Sequence, residues 1–494
     1  GFSSLPFTYH IMGIPDNLEA IPTHRTDRIP LQYVIFIFLS QMGSNHHFRN
    51  YKDISIWKDH HDQYEFKHSI IGPTGTDGGL FEWKFDYHYN DFNNFIDKIN
   101  ILKNLDNDEP CVILWECRDE IGEMIRWETN QDYPLVKNLI RKLKNKQSHI
   151  VFFNCDVGYL RNKGNYKDLS DPDWGYLKSF LKRHNISGEQ LSIIGPEKYV
   201  IKEDRDKLHN EGVSLYNFHR QAVYQRVYNF NFYKNFNNVV KSTKPFLRQR
   251  KYLCLNNSTR EHRADIFTFL HQNNLMEDGY LSYGSYYGNT GPNNAISSGI
   301  LSRSQIEDVW QDFKDLKYKE EQIKETFKLI PRLVDKKLNW TGNFDGDIGT
   351  VINSSLYLSS YFNIVTETDF DMDWKDIQIT HITEKTIKPI HMLHPFIIVG
   401  PYKTLEVLRD YGFKTFSPFI DESYDECKDA DKRMKLIKKE ILRLTSMDME
   451  ELDRWYWSMF KILNHNFKHL PVHSKKQITD FINILETKWE SLIK

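Results

Sequence analysis

The sequence predicts an α/β protein built from two doubly wound domains that face a cleft, followed by C-terminal helices. Short apolar runs recur along the chain, and the stretches between them carry apolar residues at helical spacing. Continuous apolar runs are typical of strands in a parallel sheet that helices cover on both faces. A second series of this kind starts near residue 250, and a chain of 494 residues is longer than one core normally serves.

The sequence predicts an N-terminal arm at residues 1–30, followed by a Rossmann-like domain at residues 31–243. Within this domain the spacing of apolar residues predicts helices over 134–146 and 174–184. The apolar runs predict strands at four places: 33–39 (YVIFIFL), 110–117 (PCVILWEC), 149–155 (HIVFFNC) and 191–195 (LSIIG).

A second Rossmann-like domain is predicted at residues 244–425. Its helix over 260–274 places Ile266, Phe269 and Leu270 on one face. The stretch 279–299 is rich in Gly, Asn and Ser, which predicts a long loop. Further elements are a strand at 251–257, a strand at 361–368, an apolar strand in FIIVG at 396–400, and a helix in 403–416 that Gly412 terminates.

The sequence predicts C-terminal helices at residues 426–494. In the stretch 449–463 a buried stripe recurs at helical spacing, and Asp448 with Glu451 predicts a capping box at its start. The stripe consists of Leu452, Trp455, Met459 and Ile462.

The composition excludes some classes of function. The 65 basic residues are balanced by 67 acidic ones. The chain therefore lacks the overall basic excess that is typical of a nucleic-acid-binding protein. The five cysteines are odd in number and form no C-x-x-C pair, which predicts neither a disulfide framework nor a zinc site. The run at 33–39 is too short for a membrane span, so we expect a cytoplasmic protein without a membrane partner, in the host cytoplasm if the chain is viral.

The segment 380–400, THITEKTIKPIHMLHPFIIVG, carries the strongest signal for a site. Pro389 lacks an N–H donor and is expected within the first turn of a helix, which places Thr383, Glu384 and Lys385 at or just before the helix start. A helix N-terminus favours phosphate, and Lys385 would add a full positive charge. On its own, a Glu-Lys pair is more commonly a solvated pair.

Together with its neighbours, this segment resembles the donor-binding half of the α-1,3-fucosyltransferase family and of related phage and viral glycosyltransferases. The resemblance covers about residues 250–420 and depends on CLNNSTREHRADIFTFL, Glu367 in VTET, the triplet Thr383-Glu384-Lys385 and Gly400. It implies a GT-B architecture, in which residues 244–425 bind a nucleotide sugar and residues 31–243 present the acceptor.

The resemblance also implies roles for single residues. Arg263, with Arg260 as its neighbour, and Lys385 would pair with the diphosphate, while Glu384 would bind the ribose. Asn256, Glu367 and Thr383 would complete the donor site. Neither a metal nor another cofactor is then required, and the donor could be UDP- or GDP-linked.

Other residues could carry chemistry by themselves. Carboxylates near strand ends (Glu116, Asp119 and Asp156) could take the acceptor proton, and Glu116 is our choice. The Asp-x-Asp stretches 345–347 and 369–373 match a metal-diphosphate motif, although this spacing is easily met by chance. The His pairs at 46–47 and 60–61, the aromatic and basic stretch 224–238, and the Gly spacings in 284–299 are weaker signals.

The sequence therefore predicts a glycosyltransferase that moves a sugar from a nucleoside-diphosphate sugar to an acceptor hydroxyl, with inversion. The acceptor would be a glycan or a hydroxymethylated DNA base, and the basic stretch 134–146 could contact such DNA. Two alternatives remain: a non-catalytic protein that binds glycans or nucleic acid on a degenerate transferase fold, and a metal-dependent transferase. The oligomeric state is not predicted.

Overall fold

The protein is an α/β protein with two parallel sheets, as the sequence predicts. The computed structural model describes residues 70–71, 110–117, 140–154, 173–195, 209–219, 222, 236–258, 260–286, 309–330, 332, 334, 352, 354–370 and 382–493. The domain boundaries remain predictions, and the strand predicted at 33–39 lies outside the described residues.

The first sheet has five strands in the order β1-β2-β3-β4-β5, and all described pairs are parallel. The predicted strands at 110–117, 149–155 and 191–195 are confirmed. The predicted helix 174–184 is α1, Asp173–His184, whereas only residues 140–144 of the helix predicted over 134–146 are described as helical. The strands are β1 (Ile70–Ile71), β2 (Cys111–Cys117), β3 (Ser148–Asn154), β4 (Leu191–Gly195) and β5 (Ser214–Asn217).

The second sheet has four parallel strands in the order β7-β6-β8-β9. Every residue of β8 and β9 is buried, but only β9 is apolar throughout, since β8 also carries the buried polar residues Ser360, Asn363 and Thr366. The strands are β6 (Arg250–Ser258), β7 (Gly279–Tyr286), β8 (Ser360–Thr366) and β9 (Phe396–Val399). The helices are α2 (Phe236–Ser242), α3 (Glu261–Gln272), α4 (Glu320–Phe327), α5 (Ser354–Leu358), α6 (Glu384–His391) and α7 (Thr404–Asp410).

The prediction of a loop at 279–299 is wrong for the first eight residues, which form β7. Leu281 and Tyr283 are buried at 1% and 0% exposure, and they alternate with the half-buried Ser282 as in a strand. Gly279 permits a close approach, because a Cβ there would lie 2.4 Å from the ring of Tyr252. This glycine is therefore a packing feature of the sheet and not a turn signal.

Helix α7 ends as its sequence predicts. Gly412 has a φ of 88°, its N–H donates to the Arg409 carbonyl over 2.8 Å, and the Phe413 N–H donates to the Leu408 carbonyl over 3.0 Å. These two hydrogen bonds are those of a Schellman motif. The buried Leu405 and Leu408 of this helix pack into the core.

The C-terminal residues form three helices, α8 (Ala430–Ser446), α9 (Met449–Ser458) and α10 (Phe460–Ile493). The predicted capping box is present, because Asp448 and Glu451 accept hydrogen bonds from each other's backbone N–H. Leu452, Trp455 and Met459 are buried as predicted, but α9 ends at Ser458, so the stripe is divided between two helices and Ile462 is only half-buried.

The long helix α10 contacts the segments that follow α7 and β5. Near its start, the side chain of Asn466 bonds both the N–H and the carbonyl of Lys414, which follows α7. Further along, His473 Nε2 lies 2.9 Å from His219 Nδ1, just beyond β5. None of the helices in the described part of the chain is long and apolar enough to cross a membrane.

Candidate functional site

The order of the second sheet reverses at β6. The chain passes from β6 through α3 to β7 on one side, whereas β8 and β9 lie on the other side. Because such crossovers are right-handed, α3 and α6 lie on opposite faces of the sheet. Ligands of open α/β sheets bind beyond the carboxyl ends of the strands at such a reversal. We call the carboxyl ends of β6 and β8, with the starts of α3 and α6, the switch point.

Asn256 and Thr366 connect the two strands at the switch point. The Thr366 hydroxyl donates to the Asn256 side-chain oxygen, and both residues are 2% exposed. The Asn256 backbone N–H donates to Ser282 Oγ of β7 over 3.2 Å. The structure therefore places Asn256, a predicted donor-site residue, in the buried floor of the switch point.

Glu367 follows β8 directly and is 1% exposed. Its carboxylate accepts hydrogen bonds from the Thr383 backbone N–H at 3.2 Å, from Thr383 Oγ1 at 2.5 Å and from Thr386 Oγ1 at 2.5 Å. Burial raises the pKa of this carboxyl group, and the nearby Lys385 ammonium and the threonine hydroxyls oppose that shift. The sequence predicts that Glu367 is part of the donor site, but the structure directs its side chain into the protein toward α6.

The backbone carbonyl of Glu367 is bonded to α3. It accepts a hydrogen bond from Arg263 Nη2 at 3.0 Å and lies 2.9 Å from His262 Nε2. Burial, assisted by the Arg263 charge, lowers the pKa of His262 to about 3, so its ring is neutral at pH 7 and donates through Nε2. The ring stacks on Phe370 at a centroid distance of 5.8 Å.

The two arginines predicted near the diphosphate have different environments. Arg263 is 2% exposed, and burial together with the Arg260 charge lowers its pKa. Arg260 is the exposed N-cap of α3 and makes no side-chain capping bond there. The sequence favours Arg263 as the contact for phosphate, whereas the structure makes Arg260 the more accessible of the two.

Helix α6 begins where the sequence predicts, but for a different reason. Thr383 is its N-cap and accepts a hydrogen bond from the Lys385 backbone N–H at 3.3 Å. Pro389 is the sixth helical residue, so the prediction that it lies in the first turn is wrong. The threonine cap sets the start, and the proline only removes the N–H that would reach the Lys385 carbonyl.

Lys385 and Glu384 form a partly exposed ion pair at this helix start. Their Nζ and Oε1 atoms are 3.2 Å apart, and their side chains are 27% and 22% exposed. Burial favours a higher pKa for Glu384, but the ammonium groups of Lys385 and Lys388 outweigh it and lower the pKa to about 2. Lys385 Nζ also donates to Thr383 Oγ1 at 3.2 Å and to Thr368 Oγ1 at 3.3 Å. The ammonium group is therefore held in place beside the helix N-terminus.

The remaining candidates lie elsewhere. Glu116 is the penultimate residue of β2, at the carboxyl end of the first sheet, in register with Phe153. Within the described ranges, no group of three or more His, Cys, Asp or Glu side chains could hold a metal ion. Several predicted features lie outside those ranges: Asp119, Asp156, the His pairs at 46–47 and 60–61, residues 224–235, 287–299 and 345–347, and residues 371–373 of the second Asp-x-Asp stretch.

Four residues of the site were not predicted: His262, Thr366, Thr368 and Thr386. Thr386 follows Thr383 by three positions, so both hydroxyls lie on one side of the helix start, and this spacing is visible in the sequence. His262 gives no such signal, because its role depends on the carbonyl of a residue about a hundred positions away.

The fold and the site together define an α/β protein whose second sheet reverses its strand order, with two helix starts and two accessible cations at the described switch point. No protein-family model and no curated protein matches the sequence.

Proposed function

We propose that the protein is a glycosyltransferase that moves a sugar from a nucleoside-diphosphate sugar to an acceptor hydroxyl, with inversion and without a metal ion. The observation that carries the proposal is the convergence of the starts of α3 and α6, with Arg260 and Lys385, at the switch point. This is the position at which open α/β sheets bind nucleotides.

The charges at the switch point suit a diphosphate leaving group. Each helix N-terminus carries about half a positive charge, with N–H groups directed outward. Arg260 adds a guanidinium group that can bind two phosphate oxygens at once, and Lys385 adds a point charge. When the anomeric bond breaks, negative charge grows on the diphosphate, and fixed cations stabilise that transition state.

Glu384 has a separate role in this proposal. Its low pKa, about 2, keeps it ionised at neutral pH, and one of its oxygens faces Lys385. A carboxylate has further lone pairs for other donors, so Glu384 can accept the ribose hydroxyls while it orients the ammonium group. The pair that the sequence offers as a solvated surface feature is thus also suited to hold a nucleotide.

The acceptor would be presented by the first sheet. In an inverting transfer a general base removes the proton of the acceptor hydroxyl while the hydroxyl oxygen attacks the anomeric carbon. Glu116, at the carboxyl end of β2, remains our candidate for that base. The acceptor is a glycan or a hydroxymethylated DNA base, and the proposal leaves both open.

The test is nucleotide release from UDP- and GDP-activated sugars in the presence of EDTA. Lys385→Ala is compared with the wild type and with Lys435→Ala, which removes an exposed lysine of α8. We expect release from one donor in the wild type and in Lys435→Ala, and at least about a hundredfold loss in Lys385→Ala.

Other outcomes favour the alternatives. Release that occurs only when EDTA is omitted would point to the metal-dependent transferase with an Asp-x-Asp motif. A second outcome is that a nucleotide sugar binds in a thermal-shift assay and yet no nucleotide is released when acceptors of both classes are offered. That result would favour a non-catalytic binding protein. If the wild type neither releases nor binds any nucleotide, the proposal fails.

A further inference from the structure

We infer that Glu367 is a positioning residue that fixes the starts of α3 and α6 relative to each other, so that both meet one diphosphate. The inference rests on the proposed function but assigns Glu367 a role without ligand contact. The resemblance places this residue in the donor site, whereas its carboxylate is enclosed by protein at 1% exposure.

Glu367 contacts each helix through a different part of the residue. Its side chain accepts three hydrogen bonds from the cap and first turn of α6, from Thr383 and Thr386. Its backbone carbonyl accepts the bonds from His262 and Arg263 in the first turn of α3. Because α3 and α6 lie on opposite faces of the sheet, this one residue connects two elements that are otherwise attached to different strands.

The Thr383 hydroxyl transmits the position of Glu367 to Lys385. A hydroxyl has one hydrogen and two lone pairs, and here its hydrogen points to the Glu367 carboxylate at 2.5 Å. The lone pairs are then directed toward the Lys385 backbone N–H at 3.3 Å and the Lys385 ammonium at 3.2 Å. Without the Glu367 acceptor the hydroxyl can rotate, and the lysine loses one of the groups that hold it.

The arrangement is specific to a carboxylate. An amide at position 367 keeps one acceptor oxygen, but its NH₂ group is a donor. That group would face a threonine hydroxyl that donates to the carboxylate in the wild type. One of the two threonines must therefore turn around or lose its bond.

The first test measures how the effects of two substitutions combine. Affinity for UDP and GDP is measured by calorimetry for the wild type, Glu367→Gln, Lys385→Ala and the double variant. We expect Glu367→Gln to weaken binding about tenfold, as for the loss of one charge-assisted hydrogen bond. Lys385→Ala should then cost several-fold less in the Glu367→Gln background than in the wild type, because the lysine is no longer held. Additive effects would overturn the inference.

Two further variants separate positioning from general stability. Thr386→Val keeps the shape of the side chain and removes only the hydroxyl that bonds Glu367, so it should weaken nucleotide binding in the same direction. Glu440→Gln changes another buried glutamate, in α8, whose carboxylate accepts the Asp421 N–H at 3.0 Å. This control should lower stability and leave nucleotide affinity unchanged. Equal losses of affinity in Glu440→Gln and Glu367→Gln would mean a structural role only.

The second test does not depend on a ligand. Hydrogen exchange is followed in peptides that cover the first turns of α3 and α6, in the wild type, Glu367→Gln and Glu440→Gln. We expect both first turns to exchange faster together in Glu367→Gln, because the residue whose carbonyl holds α3 is then less firmly held by α6, and neither to do so in Glu440→Gln. If only α6 responds, Glu367 does not connect the two helices and the inference is wrong. If both respond but no nucleotide binds the wild type, the connection stands and the proposed function fails.

Discussion

The two parallel sheets use their carboxyl ends differently. Among the described strands the first sheet runs in sequence order from β1 to β5, whereas the second reverses between β6 and β8. In the first sheet the end of β5 makes structural contacts: Asn217 Oδ1 accepts a hydrogen bond from Tyr411, and His219 meets His473 of α10. In the second sheet the strand ends support helix starts and two accessible cations.

The difference shows that topology, more than composition, decides which strand ends are available to a ligand. Both sheets end in polar residues, among them Asn154 and Asn217 in the first and Asn256 and Thr366 in the second. Only a reversal in strand order places helix starts on both faces of one point, because the crossovers on its two sides then run in opposite directions.

The largest effect separates Arg260 and Arg263, two arginines three residues apart at the start of α3. Arg263→Ala should lower the free energy of unfolding by about 3–5 kcal/mol, because it empties a buried position and removes the hydrogen bond to the Glu367 carbonyl. Arg260→Ala should change it by less than about 0.5 kcal/mol, since this side chain is exposed. Urea unfolding measures both values.

Among the molecules that remain folded, Arg260→Ala should lower nucleotide affinity more than Arg263→Ala does. Arg260→Ala should weaken UDP or GDP binding about tenfold, as for the loss of one charge-assisted contact. The accessible position of Arg260 is contradicted if Arg260→Ala lowers the free energy of unfolding as much as Arg263→Ala does and leaves nucleotide affinity unchanged.

These arginines also show where sequence reasoning ends. Strand β9 is predictable because burial on both faces makes it apolar throughout, and the start of α6 is predictable because an N-cap is a local feature. Which arginine of α3 faces outward depends on the rotation of that helix against the sheet, which is a tertiary property. Strand β7 was missed for a similar reason, since its glycine is explained only by the ring of Tyr252.

The next effect is a dependence on pH that arises in the first sheet. His149 of β3 is 1% exposed, and burial together with the Lys488 charge lowers its pKa from 6.5 to about 3. Between these values the unfolded chain binds a proton that the folded protein does not bind. The contribution of His149 to the free energy of unfolding is therefore complete above pH 6.5. It is lost as the pH falls toward 3, and the loss is about 2 kcal/mol by pH 5.

His149→Gln should remove this part of the slope when urea unfolding is repeated between pH 7 and about pH 5. Ser192→Ala is the matched control, because it removes the hydrogen bond at 2.8 Å and retains the imidazole. The control should be less stable at every pH but keep the slope. An unchanged slope in His149→Gln would show that other groups are responsible.

The smallest effect concerns the contact between the end of β5 and the turn after α7. Tyr411→Phe keeps the ring that stacks on His219 at 4.6 Å and removes only the hydroxyl that donates to Asn217 over 2.8 Å. We expect the free energy of unfolding to fall by about 1 kcal/mol, the usual net value of one hydrogen bond, with no change in nucleotide affinity. Urea unfolding and calorimetry on the same preparation test both expectations.

A loss of affinity in Tyr411→Phe would alter the comparison between the sheets. Tyr411 follows α7, which is connected to β9 and therefore belongs to the sheet that carries the switch point. Its hydroxyl bonds the other sheet, so a change in nucleotide binding would mean that the end of β5 influences the site through this contact. The two strand ends would then act as one unit, and the structural role assigned to the first sheet would be incomplete.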